Sequence, residues 1–269
     1  MNEKIKMPFW ETLRRTFAYV WNDRKILMFV LPILIAFLVL KFVLSQTSTC
    51  DPTAENCNDW RSLTLSIAMI VMNIAIIINY CRRIVLKEEP NFTGKKFWKS
   101  AVFYFVASLI YFLSVLLPLV ILLLSAATII QLITTVDAAT FANSIAWGLL
   151  LLYVIVFIEF VLLAPLLLWF PSIAVEDYKM LSLKKLFRLT KGNHNRLFWG
   201  LFVTNIPLFV LLVVIILAAE AIFGVDNLRD NNLLWLLGIV VQVLNTCLKG
   251  SYYAHTYQFF KFVEKKEKA

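Results

Sequence analysis

The sequence predicts an all-α, polytopic membrane fold: six transmembrane helices in three hairpins, with basic amphipathic helices lying on the cytoplasmic surface. Three observations lead there. Six apolar runs are long enough to cross a bilayer, the connections between them alternate between basic and nearly uncharged, and 61% of the 269 residues are hydrophobic while only 16% are charged. A soluble domain is normally about 45–50% apolar and about a quarter charged. A core of this size cannot hide the surplus, which must therefore face lipid. The sequence has no Ser/Gly-rich linker, so a single integral domain is expected over 1–269.

A helix needs about 20 apolar residues to cross the hydrocarbon layer. The spans are expected at about 26–44, 62–81, 101–126, 144–170, 197–223 and 233–250. No small-x-small cleavage site follows the first run, so it is expected to persist as an anchor. The charge-free stretch 100–136 is too short for two spans and a turn, and reads as one span followed by an apolar segment, TIIQLITTV, in the outer interface. The last run is short before Lys249, whose side chain is expected to snorkel while the helix continues through Tyr252 and Tyr253.

Orientation follows from the cations. Twenty-three of the 26 Lys and Arg residues lie in the two tails and in the second and fourth connections. The other three connections hold only Arg61 and Arg229, with Lys41 near the outer end of the first span. Lys and Arg stay on the cytoplasmic side of a membrane, which places both termini there. The net charge of +9 could suggest nucleic acid, but short basic blocks beside apolar runs are a membrane-topology pattern, and no nucleic-acid partner is expected.

The basic blocks are themselves patterned. In the fourth connection Met180, Leu183, Leu186, Phe187 and Thr190 recur at helical spacing, opposite Lys184, Lys185, Arg188 and Lys191. That is an amphipathic helix for the interface, with Gly192-Asn193 as its C-cap, His194 a solvated turn residue and Asn195 opening the next span. Near the N-terminus Phe9, Leu13, Phe17, Val20 and Trp21 form the apolar face beside Arg14, Arg15 and Arg24, and FTGKKFWKSAVFYF is a shorter version carrying Lys95 and Lys96. Arg14, Arg15, Lys95, Lys96, Lys184, Lys185, Arg188 and Lys191 are accordingly expected to meet the anionic headgroups of membrane lipids, each contributing up to about 1 kcal/mol. Topology alone would also explain these charges. The spacings Phe9–Pro32, Phe97–Pro118 and Phe187–Pro207 suggest a threefold repeat of interfacial helix plus hairpin, although any six-span protein with cytoplasmic termini shows the charge alternation.

Catalytic and metal motifs are lacking: two histidines, no HExxH, no GxSxG, no phosphate loop and no CxxC. No catalytic residue, metal or cofactor is expected, and Glu88-Glu89-Pro90 reads as a solvated loop. Cys50 and Cys57 bracket the first external loop and are disulfide candidates, whereas Cys81 and Cys247 read as inert thiols. Glu159 falls in the middle of the fourth span, where a charge is costly, so it should face the bundle interior, with Asn73 and Gln242 at comparable depth as candidate partners. Such a group is either a substrate or proton-coupled site or an interhelical hydrogen bond that fixes packing.

The segment WFPSIAVEDYKMLSLKKLFRLTKGNHNRLFWGLFVTNIP (169–207) resembles the YciC-type multi-span bacterial membrane proteins and the related membrane domain of some glycerophosphoryl diester phosphodiesterases. Pro171, Glu176, Lys191 and Gly192 match the pattern, as punctuation around the interfacial helix. The resemblance implies a six-helix inner-membrane protein concerned with envelope or lipid homeostasis. It brings no catalysis, since nothing here corresponds to the soluble phosphodiesterase domain. The expected function is therefore non-enzymatic organisation of lipids or partner proteins at the cytoplasmic face; the alternative is a small transporter or lipid translocator with a cavity around Glu159.

Overall fold

The computed structural model describes residues 5–46, 60–91, 94–133, 161, 163–223 and 232–268. The described residues are almost all helical and include no strand: α1 (Phe9–Asn22), α2 (Arg24–Gln46), α3 (Trp60–Leu86), α4 (Lys95–Ile133), α5 (Trp169–Ala174), α6 (Leu183–Thr190), α7 (His194–Phe223) and α8 (Asn232–Lys268). Tight 3₁₀ turns at Ala164–Leu168 and Tyr178–Leu181 flank α5. Among the described residues three helical stretches are long and apolar enough to cross a membrane, Leu63–Leu86, Lys95–Ser114 and His194–Glu220, and two shorter apolar ones are Val30–Leu44 and Ala164–Ala174. Four expected spans, 26–44, 62–81, 101–126 and 197–223, each fall within one helix. The segment 233–250 is the first half of α8, and most of 144–170 lies outside the described residues.

Where helices stop has local causes. Asp23 separates α1 from α2: its N–H still bonds Tyr19 at 3.0 Å, while its carboxylate is taken by Arg83 of α3. Gly192, at φ 85°, turns the chain between α6 and α7, a left-handed conformation that costs glycine nothing. The chain departs from expectation at α4. It runs unbroken from Lys95 to Ile133, so the FTGKKFWKS block forms no separate interfacial helix, and most of TIIQLITTV continues the same helix. An uninterrupted helix keeps its backbone groups bonded, which an apolar medium demands.

Helix α8 is the spine. It packs most extensively on α3, then on α7 and α1. Along its second half Tyr252, Thr256, Phe260 and Val263 recur at helical spacing and are all buried. Of these, Tyr252 and Phe260 share one core with Met7 ahead of α1, Ile76, Tyr80 and Ile84 of α3, Leu186 of α6 and Leu197 of α7. Two glycines permit the closest approaches. A Cβ on Gly200 of α7 would lie 2.2 Å from the Tyr252 hydroxyl, and one on Gly250 of α8 would lie 2.9 Å from Tyr80 Cβ. Away from this core the long helices present bare hydrocarbon: Phe209 of α7 is 66% exposed and Leu217 58%. Contiguous apolar surface on that scale suits lipid rather than water.

Candidate functional site at the basic end of the bundle

Among the described residues, the ion pairs gather at the end of the bundle that carries α1 and α6. Both helices are amphipathic, yet their faces divide differently from the expected pattern. On α1 it is Thr12, Leu13, Thr16 and Val20 that face the protein, while Trp10 and Trp21 are exposed. On α6 Leu186, Leu189 and Thr190 are buried together with the preceding Met180, while Leu183 and Phe187 are exposed. Each short helix is thus bound to the body of the protein by one stripe and offers a second apolar stripe outward.

Polar contacts hold this layer in place. The Ser251 hydroxyl donates to the Thr16 carbonyl at 3.2 Å, joining α8 to α1. Asn193, buried in the turn before α7, accepts from the Met7 N–H at 2.8 Å and donates to the Ile5 carbonyl at 3.2 Å. Arg196 also donates to the Met7 carbonyl. The GNHN turn therefore clasps the segment ahead of α1, a use for its asparagine beyond capping. His194 is half-buried rather than solvated, its Nε2 3.2 Å from the Thr190 hydroxyl and its ring edge-on to Phe187.

A chain of charges runs beneath α6. Lys185 pairs with Glu264 at 2.8 Å, and Lys261 bridges Glu264 and Asp177. The Tyr257 hydroxyl donates to Asp177 at 2.5 Å. Burial pushes the Asp177 carboxyl up, but the Lys261 ammonium and the Tyr257 hydroxyl outweigh it and hold it below the usual carboxylate range. At the end of α3 the Arg83 fork binds Asp23 at 2.7 and 3.3 Å, and Arg82 binds Glu88 at 2.7 Å, Glu176 at 3.3 Å and the Ala174 carbonyl at 3.1 Å. Lys87 takes a left-handed φ of 62° as α3 ends, which returns the chain and lets Glu88 and Glu89 pair with Arg82 and Arg83 instead of standing free in solvent. The Gln258 amide of α8 donates to the Ile84 carbonyl at 2.8 Å, satisfying the last turn of α3.

The outer surface is cationic and aromatic. Of the residues expected to meet headgroups, Arg14, Lys95, Lys96, Lys184, Arg188 and Lys191 are exposed. Arg15 is exposed as well but shares its charge with Glu11 at 2.5 Å, and Lys185 is turned inward to Glu264. Exposed indoles stand beside these cations: Trp10 and Trp21 on α1, Trp98 in the first turn of α4 and Trp199 in the second turn of α7. Tryptophan with an apolar body and one N–H settles at the boundary between lipid and water.

The polar residues expected at depth are only partly brought together. Thr246 of α8 donates to Asn73 Oδ1 of α3 at 2.7 Å, joining the two helices, whereas its 2.9 Å contact with Gln242 is to a backbone carbonyl one turn earlier in α8. Glu159, Cys50 and Cys57 lie outside the described residues. Cys81 and Cys247 are free and buried. Among the described residues no three His, Cys, Asp or Glu side chains cluster as a metal site would require. The second half of α8 is hard to see in the sequence, because charges dominate the tail; its signal is the Tyr252, Thr256, Phe260, Val263 stripe. No protein-family model matches the chain, and no curated protein and no solved structure matches it either, so the residues themselves carry the functional reading.

Proposed function

We propose that this is a non-enzymatic integral protein of a bacterial inner membrane, with six spans in three hairpins and both termini in the cytoplasm. Its basic end gathers anionic lipid headgroups, or partner proteins lying on them, at the cytoplasmic face. The observation that carries the reading is the meeting, at one end of the molecule, of exposed indoles with exposed cations that have no ion-pair partner among the described residues. Arg14, Lys184, Arg188 and Lys191 stand on short helices whose outward apolar stripes, Trp10 with Trp21 and Leu183 with Phe187, suit shallow insertion beside headgroups. The likeness of 169–207 to the YciC-type proteins supports a role in envelope or lipid homeostasis.

Two measurements test this. Reconstituted protein should melt at a higher temperature in bilayers containing phosphatidylglycerol than in phosphatidylcholine alone. A combined Arg14→Gln, Lys184→Gln, Arg188→Gln, Lys191→Gln variant should lose most of that increment, since each cation near an anionic surface contributes about 1 kcal/mol. Equal stability of the native protein in both lipids would sink the proposal. For orientation, a membrane-impermeant maleimide added to intact spheroplasts under mild reduction should label Cys50 and Cys57, and labelling only after permeabilisation would reverse the topology.

A further inference from the structure

A groove of about 820 Å³ lies between α2, α3 and α4, and its walls are almost entirely apolar, among them Phe37 and Leu40 of α2, Ile67 and Val71 of α3, Val102 and Phe105 of α4. Its lining runs from Ile67 to Ala75 on α3 and from Phe97 to Phe105 on α4. At the helical rise each interval is about 12 Å, close to the ~15 Å depth of one leaflet's hydrocarbon. The groove uses a separate face of α4 from the one that meets α5, where Tyr104 and Tyr111 reach Phe170 with ring centroids 4.9 and 5.8 Å apart.

A polar pocket of about 380 Å³ adjoins the groove at the basic end, and buried Phe97 lines both. The residues that line this pocket carry three cations, Arg82, Lys95 and Lys96, against the two carboxylates of Glu88 and Glu89. Glu88 and Glu89 are held by Arg82 and Arg83, whereas Lys95 and Lys96 make no ion pair among the described residues. These lysines occupy the first turn of α4, which has no acidic residue. The positive end of a helix dipole disfavours cations there and favours an anion. An anionic group seated between them would remove that cost, with Trp98 at the groove rim as its boundary residue.

We infer that this composite site holds one anionic phospholipid, its acyl chains in the α2–α3–α4 groove and its phosphodiester between Lys95 and Lys96. The inference rests on the proposed membrane reading and narrows it from a charged surface to a single stoichiometric ligand. The lipid would act as a wedge that fixes α2 and α4 on either side of α3.

The test is native mass spectrometry of the full chain released from nanodiscs containing equal amounts of phosphatidylglycerol and phosphatidylcholine of the same chain length. One retained phosphatidylglycerol is expected. Lys95→Gln with Lys96→Gln should lower its apparent affinity on the order of tenfold. Val102→Trp should displace it by filling the groove with the lysines intact, and Arg188→Gln with Lys191→Gln should leave it bound. Retention of both lipids alike, or an adduct unchanged in the lysine variant, overturns the inference. If Val102→Trp fails to fold, the lysine variant alone decides. Absence of the adduct from the native protein with the bilayer preference intact refutes this site and spares the proposed function; absence of both refutes each.

Discussion

His255 stands on α8 with Tyr19 edge-on at 5.8 Å between centroids, and its buried Nε2 has no hydrogen-bond partner among the described residues. Burial, helped by the Arg15 and Lys87 charges and opposed by Gln258, lowers its pKa to about 4. The folded protein thus keeps a neutral imidazole at pH values where the unfolded chain, near 6.5, already binds a proton. Stability should fall as pH drops from about 6.5 toward 4 and level off below, by on the order of 2 kcal/mol after allowance for partial exposure. His255→Phe should flatten that slope in thermal melts across this range; an unchanged slope would assign it to another group. Asp177 acts at lower pH, because its depressed folded pKa contributes stability that is lost only as pH falls through that value. In the sequence His255 was a tail histidine with no visible neighbour, since Tyr19 is more than two hundred residues away.

At the scale of the element, α6 shows what periodicity can and cannot say. Its apolar and basic residues alternate at helical spacing, and that pattern located an amphipathic helix. Periodicity cannot say whether the apolar stripe meets lipid or protein, because both are satisfied by hydrocarbon. The structure divides the stripe: Leu186 is fully buried against the core and Leu183 faces outward. Leu186→Ala should cost about 2–4 kcal/mol, read as a lower melting temperature in detergent. Leu183→Ala should change stability by less than about 0.5 kcal/mol and instead weaken association with anionic bilayers. Equal losses from the two substitutions would show that α6 is held by one undivided face. The same division operates on α1, where Thr12 and Thr16 take inward positions that a hydrophobicity pattern assigns to aromatic side chains.

For the whole molecule, the decisive element is α8, whose 37 residues extend about 56 Å, nearly twice the hydrocarbon thickness. Its first half supplies the sixth apolar run and its second half supplies the core of the basic end. A chain terminated after Gly250 would keep every expected span and lose Tyr252, Tyr257 and Phe260. It should fail to give a monodisperse particle or a cooperative melt, and a well-folded truncated protein would show that the core does not depend on this half of α8. Hydrophobic run lengths, the confinement of Lys and Arg to alternate connections and the spacing of the amphipathic blocks were fixed by composition along the chain, because transfer to lipid depends on each residue's own polarity. Those local terms therefore yielded the helical class and the positions of most helices. Which side of each helix meets protein, which arginine takes which carboxylate, and how Phe97 joins a groove to a charged pocket were decided only by tertiary structure. Many such contacts join residues far apart in the chain, from 60 positions for Arg83 with Asp23 to 235 for Ser251 with Thr16, and their pairing energy exists only once the intervening chain has folded back.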